Sequence, residues 1–284
     1  MPAMKFTKMH GLGNDYVYVD LFTERVEDPR SLARRISDRH TGVGADGLIL
    51  IGPSGIADLR MEMYNADGSR GEMCGNGIRC VARYAVDHGR AAGPTLRIET
   101  DCGVKAAECL VDGDGLRLVR IDMGRPDLAA RAIPTTIPAE RVINHPLRIA
   151  GATHLVTCVS MGNPHAVVFT EELDSVGLEA IGPAFEHAQQ FPRGINVHFV
   201  QINSRAEVTM KTWERGSGVT RACGTGACAV CVAGAVTGRT DRRITAQLPG
   251  GRLFIEWAGS DQVYMTGPAV EVFSGVWPDG RLAK

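Results

Sequence analysis

Lysine is scarce in this chain, five residues in 284, and none stands in a pyridoxal-like setting. Excess charge of either sign is lacking too. The net charge is −1, with no basic tail or stripe, so nucleic acid is not an expected partner. No hydrophobic run is long. The longest, Ala227 to Val236, is too short to cross a bilayer, and Met1 to His10 has neither the apolar core of a signal peptide nor the Arg- and Ser-rich character of a transit peptide. The expectation is a cytoplasmic protein with no membrane partner. Eight cysteines are too sparse for a disulfide scaffold in a chain this size, and all eight are expected as thiols. There is no zinc-ligand pattern and no serine-nucleophile elbow. The loop Gly42 to Gly47 lacks the Lys and Ser/Thr of a P-loop and the full glycine spacing of a dinucleotide site. What remains is an ordinary globular composition, 44% apolar and 22% charged, in a chain long enough for two cores.

That chain is written twice. Cys74-Gly75-Asn76-Gly77 returns as Cys223-Gly224-Thr225-Gly226, an offset of 223 − 74 = 149. Gly13-Asn14 and Gly162-Asn163, Asn65 and Glu214, Tyr64 and Trp213, Met61 and Met210, and Gly89-Arg90 and Gly238-Arg239 share it. Several separated stretches at one offset point to two copies of one supersecondary unit. The arrangement predicts a pseudo-two-fold body with two thiols facing one substrate. Such a pair suits the removal of a proton from one face of a carbon and its return to the other.

Alternation predicts strands at Lys5–Met9 and Asp15–Asp20, then Leu48–Ile51, Met61–Tyr64, Leu96–Thr100, Val104–Leu110 and Leu116–Met123. The second copy repeats them at Leu155–Val159 and Ala166–Thr170. A hairpin of Asn196–Ile202 with Ala206–Trp213 turns about Asn203-Ser204, and Ile244–Leu248, Leu253–Trp257 and Val263–Thr266 follow. Helical spacing marks Arg30–Arg39, Cys74–His88, Leu178–Ala188 and Cys223–Val236, with Gly89 and Gly238 at the ends of the second and fourth. A tail strand, Ala269–Val276, has no counterpart in the second copy and is free to return to the first domain. Pro126–Pro146 reads as the inter-domain region.

Each Cys-Gly-x-Gly opens a helix, where unsatisfied N–H groups favour thiolate over thiol and can cradle a carboxylate. The bland reading, two small buried hydrophobes, is weakened because the element occurs twice in the same setting. Cys223, Cys228 and Cys231 also have the C-x4-C-x2-C spacing of an iron–sulfur site, with Cys158 or Cys109 as a fourth ligand. A rigid alanine-rich helix would instead hold Cys228, Cys231 and Cys80 in its packed side. Asn14, Asn65, Asn76, Asn163 and Asn196 lie in turns, which Asn favours for its own reasons. Their repeat-related placement also suits an amide cage around ammonium and carboxylate groups. Glu214-Arg215 offers a carboxylate and a bidentate guanidinium, or else a surface ion pair. His165 either tunes a nearby thiol or is simply hydrogen-bonded.

Met9-His10-Gly11-Leu12-Gly13-Asn14-Asp15, Asn65-Ala66-Asp67-Gly68, Met73-Cys74-Gly75-Asn76-Gly77, Ser160-Met161-Gly162-Asn163-Pro164-His165, Glu214-Arg215-Gly216 and Ala222-Cys223-Gly224-Thr225-Gly226 together resemble the diaminopimelate epimerases, from Lys5 to about Val276. The resemblance implies a cofactor-independent epimerase without metal that interconverts LL- and meso-diaminopimelate in lysine and peptidoglycan precursor synthesis, as a homodimer. It implies an α+β fold of two pseudo-symmetric domains, each a mostly antiparallel sheet wrapped around a central helix. The expected domains are residues 1–119 with 268–284, and 120–267. By position, Cys74 and Cys223 would be the base and acid. Asn14, Asn65, Gly75, Asn76, Asn163, Asn196, Glu214, Arg215, Gly224 and Thr225 would bind substrate, and His165 and Glu214 would adjust thiol acidity. Some members carry Gln where this chain has Gly47, so a side-chain contact is lost there. Thr225 replaces Ser while keeping the hydroxyl. Two other readings stay open: a paired-thiol isomerase of the proline racemase type, and an iron–sulfur or redox module.

Overall fold

Alternating segments become strands wherever both pleat faces can be covered, and a computed structural model gives their arrangement for residues 3–71, 73–111 and 117–278. In chain order these are β1 (Met4–Gly11), β2 (Asn14–Asp20), α1 (Pro29–Ser37), β3 (Gly47–Gly52), β4 (Leu59–Asn65), β5 (Arg70–Gly71), α2 (Gly75–Asp87), β6 (Thr95–Thr100), β7 (Gly103–Val111) and β8 (Arg117–Gly124). There follow β9 (His145–Ile149), β10 (Ala152–Ser160), β11 (Pro164–Phe169), α3 (Leu178–Glu186), β12 (Asn196–Ser204), β13 (Glu207–Glu214), β14 (Gly218–Thr220), α4 (Gly224–Val236), β15 (Arg243–Leu248), β16 (Gly251–Trp257), β17 (Val263–Pro268) and β18 (Val270–Trp277). Leu116, read as the start of a strand, lies outside the described residues. The chain divides into two units, Met1–Ile121 with Gly267–Lys284, and Asp122–Thr266.

The two units have one topology. The sheet of the first runs β18-β1-β2-β3-β4-β6-β7-β8, parallel only at β2–β3 and β4–β6, with β5 appended to β4. The second runs β9-β10-β11-β12-β13-β15-β16-β17, parallel only at β11–β12 and β13–β15, with β14 appended to β13. The helices keep the sequence offset to the residue: α1 and α3 begin at 29 and 178, and α2 and α4 at 75 and 224, each pair 149 apart.

Each unit holds one helix inside the curl of its sheet and one outside. On β3, Leu48 and Leu50 join Leu32, Ala33 and Ile36 of α1 in one core, while Ile49 turns the other way, toward Gly77 of α2. That two-sided burial explains the unbroken apolar run of β3. β12 repeats the pattern: Val197 and Phe199 pack with Leu178 and Phe185 of α3, and the residue between them, His198, faces Gly226 of α4. α4 is small and apolar on all sides, Gly-Thr-Gly-Ala-Cys-Ala-Val-Cys-Val-Ala-Gly-Ala-Val, as a helix encircled by strands must be. Cys80, Cys228 and Cys231 are buried in these central helices, and no disulfide joins any of the eight cysteines.

Two expectations fail for one reason. Pro126–Pro146 is not a linker: Ile133, Ile137 and Val142 belong to the core of the second unit, and the stretch runs into β9. The tail strand does have a counterpart. β18 pairs antiparallel with β1, and β9 pairs antiparallel with β10 in the same way. The equivalence escapes the 149-residue offset because β9 directly precedes the copy it completes, whereas β18 comes after the whole second unit.

Candidate functional site

Each unit carries a cluster at the start of its central helix. In the first, Cys74 is the N-cap residue of α2 in extended conformation, and its sulfur accepts a hydrogen bond from the Gly77 N–H at 3.3 Å. A sulfur in that position takes the place of the Ser or Asp oxygen that ordinarily caps a helix. The thiol in turn donates to Asn14 Oδ1 at 3.3 Å, and Asn76 Nδ2 donates to the same oxygen at 3.3 Å. Asn14 presents its oxygen because its own NH2 is held by Asp46 Oδ2 at 2.8 Å. Asn76 is fixed from behind by Arg79, whose guanidinium, wholly buried, donates to Asn76 Oδ1 (2.8 Å), the Gly75 carbonyl (3.1 Å) and the Pro268 carbonyl (3.2 Å). Gly11 leaves room for it, since a Cβ there would stand 2.8 Å from the Arg79 terminal nitrogen. Gly75 is the first residue of the helix. Asn65 stands apart at the end of β4, its amide donating to Ser69 Oγ at 2.9 Å.

The second unit places Cys223 as the N-cap of α4, with Gly224 as the first helical residue. Its sulfur lies 3.7 Å from the Thr225 hydroxyl, with the Glu214 carboxylate and the Gly226 N–H close enough to bear on its acidity. Thr220 Oγ1 donates to Glu214 Oε1 at 2.5 Å, which fixes that carboxylate. Asn163 Nδ2 donates to Thr225 Oγ1 at 3.3 Å, and Asn163 Oδ1 receives His165 Nε2 at 2.8 Å. Asn196 bridges two loops: its NH2 donates to the Pro164 carbonyl (2.7 Å) and its oxygen accepts from the Arg215 N–H (3.0 Å). The Arg215 guanidinium donates to the Arg193 carbonyl at 3.1 Å, and Glu186 holds the loop by accepting from Gly216 N and Trp213 Nε1.

Electrostatics decide the resting state of Cys223. A helix start favours thiolate, but burial, and then the adjacent Glu214 carboxylate, push this thiol well above its ordinary pKa. Desolvation wins, and Cys223 rests as a thiol. Burial likewise raises the pKa of Glu214, against the Thr220 hydrogen bond and the influence of the nearby Cys223 thiol. His165 is pulled well below its ordinary pKa by burial, then by His198 and Arg215, so the imidazole is neutral.

Of the residues read from the sequence, the structure joins Asn14, Cys74 and Asn76 in one cluster, and Asn163, His165, Glu214, Cys223 and Thr225 in the other. Asn196 and Arg215 form a pair beside the second. Arg79, Asp46, Thr220 and His198 support these clusters and were not singled out. Their one sequence signal is position: Asp46 lies in the glycine loop Gly42–Gly47, Thr220 follows Glu214-Arg215, and Arg79 follows Cys74 by five residues. Cys223, Cys228 and Cys231 are not gathered as ligands, and among the described residues no group of three or more His, Cys, Asp or Glu is placed to hold a metal ion.

The family model described as diaminopimelate epimerase matches residues 6–129 and 157–272. The chain is 54% identical over 276 residues to the diaminopimelate epimerase of Desulforudis audaxviator, covering 96% of this chain and 99% of that one. It is 52% identical over 277 residues to that of Pelotomaculum thermopropionicum, covering 97% and 99%. In fold it is similar to a PhzF-family phenazine biosynthesis protein of Bacillus anthracis (TM-score 0.70, 15% identity, 97% and 99% covered). A hydroxyproline epimerase from Agrobacterium vitis is also similar (TM-score 0.67, 14% identity, 97% and 91% covered).

Proposed function

The chain belongs to the diaminopimelate epimerase family, a family of isomerases, and on that footing we propose that it interconverts LL- and meso-diaminopimelate by two-cysteine proton transfer at one α-carbon. The observation that carries the reading is the duplicated N-cap cysteine: each central helix begins with a thiol set among amides and backbone N–H groups. One sulfur, as thiolate, takes the α-proton while the other, as thiol, delivers a proton to the opposite face, and the roles exchange for the reverse direction. An α-amino acid carbanion has no internal electron sink. The developing charge must therefore be met by preorganised donors, and the first-turn N–H groups of α2 and α4 are such donors. Cys223, a thiol at rest, starts as the acid.

Substrate recognition falls to Asn14, Asn65, Gly75, Asn76, Asn163, Asn196, Glu214, Arg215, Gly224 and Thr225. Amides and one guanidinium read the substrate's carboxylates, and the Glu214 carboxylate reads an ammonium. His165 and Glu214 adjust thiol acidity. The reaction needs no cofactor, serves lysine and peptidoglycan precursor synthesis in the cytoplasm, and is carried out by a homodimer.

Incubation with LL-diaminopimelate in heavy water tests the reading. Deuterium enters one α-carbon as the meso isomer forms, and absence of exchange at either α-carbon rules the activity out. Cys74→Ser and Cys223→Ser each lower turnover by a thousandfold or more, about 4 kcal/mol of barrier, because a hydroxyl is far less acidic than a thiol. Near-normal turnover in either variant removes that cysteine from the reaction.

A further inference from the structure

Behind the second cluster lies a buried hydrogen-bonded chain that the reaction scheme leaves unused. His165 Nδ1 meets His198 Nε2 at 2.9 Å, and His198 Nδ1 meets Thr212 Oγ1 at 2.9 Å. All three side chains are at most 3% exposed. His198 and Thr212 sit opposite one another in the β12–β13 pairing. The His198 ring lies directly beneath the first turn of α4, where a Cβ on Gly226 would fall 2.2 Å from its Cε1.

We propose that His198 and Thr212 are positioning residues that fix the hydrogen-bond polarity of the whole chain so that the Thr225 hydroxyl donates to Cys223 Sγ. The direction follows from donor and acceptor counting. Asn163 Nδ2 points at Thr225, so Asn163 Oδ1 faces His165 and can only accept; His165 Nε2 therefore bears the proton. A neutral His165 then has a bare Nδ1, which must receive the proton of His198 Nε2. His198 Nδ1 is bare in turn and receives the Thr212 hydroxyl. At the other end Thr225 Oγ1 already accepts from Asn163, which leaves its own proton for the sulfur 3.7 Å away. Both imidazoles are neutral, since burial lowers both pKa values.

The other copy sharpens the point. The positions 149 residues earlier are Tyr16, Ile49 and Met63, of which Ile49 and Met63 carry no group that could continue a relay, and there the amide is turned round: Asn14 offers its oxygen to Cys74 and Asn76. Beside Cys74 the repeat-related asparagine thus presents its oxygen, whereas beside Cys223 the Asn163 amide faces Thr225 and leaves that hydroxyl for the sulfur. A donor stabilises the thiolate that Cys223 must become whenever it serves as base. It works against burial and Glu214 of β13, alongside the Gly226 N–H of α4, with His165 of β11 and Arg215 behind.

The inference rests on the reading of Cys223 as an acid–base group, and the test separates the two. Wild type, Thr212→Val, Thr212→Ser and His198→Phe are alkylated with iodoacetamide at pH 8.5, modification at Cys223 and Cys74 is followed by peptide mass mapping, and epimerase turnover is measured in parallel. Thr212→Val keeps shape but loses the hydroxyl, so His198 and His165 can switch tautomer, Asn163 flips, and Thr225 turns its proton away from sulfur. The expected result is an approximately tenfold slower alkylation of Cys223, one pKa unit, with Cys74 unchanged and Thr212→Ser like wild type. His198→Phe gives the same loss, and if it fails to fold the Thr212 pair decides alone. Alkylation of Cys223 that is unchanged or faster in folded Thr212→Val overturns the relay. Slowed alkylation with undiminished turnover upholds the relay and overturns the catalytic role of Cys223.

Discussion

At the scale of single residues, the two copies differ most where a glycine faces a polar side chain. Gly47 stands at the position equivalent to Asn196, and a Cβ there would lie 2.2 Å from the Tyr64 carbonyl oxygen and 2.9 Å from the Tyr16 ring. The backbone oxygen belongs to the β3–β4 pairing, where Gly47 faces Asn65, so it cannot give way cheaply. Gly47→Ala is expected to destabilise the protein by about 2–3 kcal/mol, read as a lower urea midpoint, and an unchanged midpoint would show that the strand pair yields. A side-chain contact from this position is excluded here by packing. Asn196, by contrast, has room and uses both ends of its amide to tie Pro164 to Arg215. Residue identities were legible in the sequence where they recur at one offset, as with Asn14 and Asn163 or Cys74 and Cys223. His198 was not legible, because its meaning depends on Thr212 lying opposite it across a strand pair. Arg79 was hidden because an arginine one turn into a helix reads as a solvent-facing charge, while here it is sealed beneath Asn76.

Among the elements, the helices show how local chemistry and repeat position combine. α2 and α4 were legible from end to end: a cysteine and two glycines open them, apolar spacing continues, and Gly89 and Gly238 at positive φ close them. α1 and α3 share an offset but not a cap. Asp28 accepts from the Ser31 N–H at 3.0 Å and Pro29 follows it, whereas the equivalent Gly177 supplies no side chain. Gly177 has negative φ, and a Cβ there meets nothing within 4 Å. Gly177→Asp is therefore expected to stabilise the fold by about 0.5–1 kcal/mol, from a new cap and a stiffer unfolded chain. Thermal unfolding checks it; a lowered Tm would mean that the first turn of α3 does not accept a cap. β9 was the element least visible beforehand, since it follows a proline-bearing stretch whose apolar residues, Ile133, Ile137 and Val142, show no periodicity until they are seen filling a core.

For the molecule as a whole, acid sensitivity should be set largely by imidazoles that fold without charge. Burial lowers His198 to about 3, lowers His165 well below its ordinary range, and lowers His154. The unfolded chain binds these protons more readily, so their stabilisation is complete above about pH 6.5 and drains as pH falls from there toward 3. Glu214, raised by burial, runs the other way and is lost as pH climbs above the ordinary carboxylate range, a partial offset. Stability at pH 5.5 should be about 2 kcal/mol below that at pH 7.5, measured by urea unfolding; equal values at the two pH settings would contradict a neutral His165–His198 pair. The pairing of β1 with β18 has a further bearing, on the order of synthesis. The second unit is continuous in the sequence and can close as soon as Thr266 leaves the ribosome. The first cannot, although its residues emerge earlier: its β1 edge stays bare until β18, made after the whole second unit, arrives to cover it. The half that begins first is obliged to finish last.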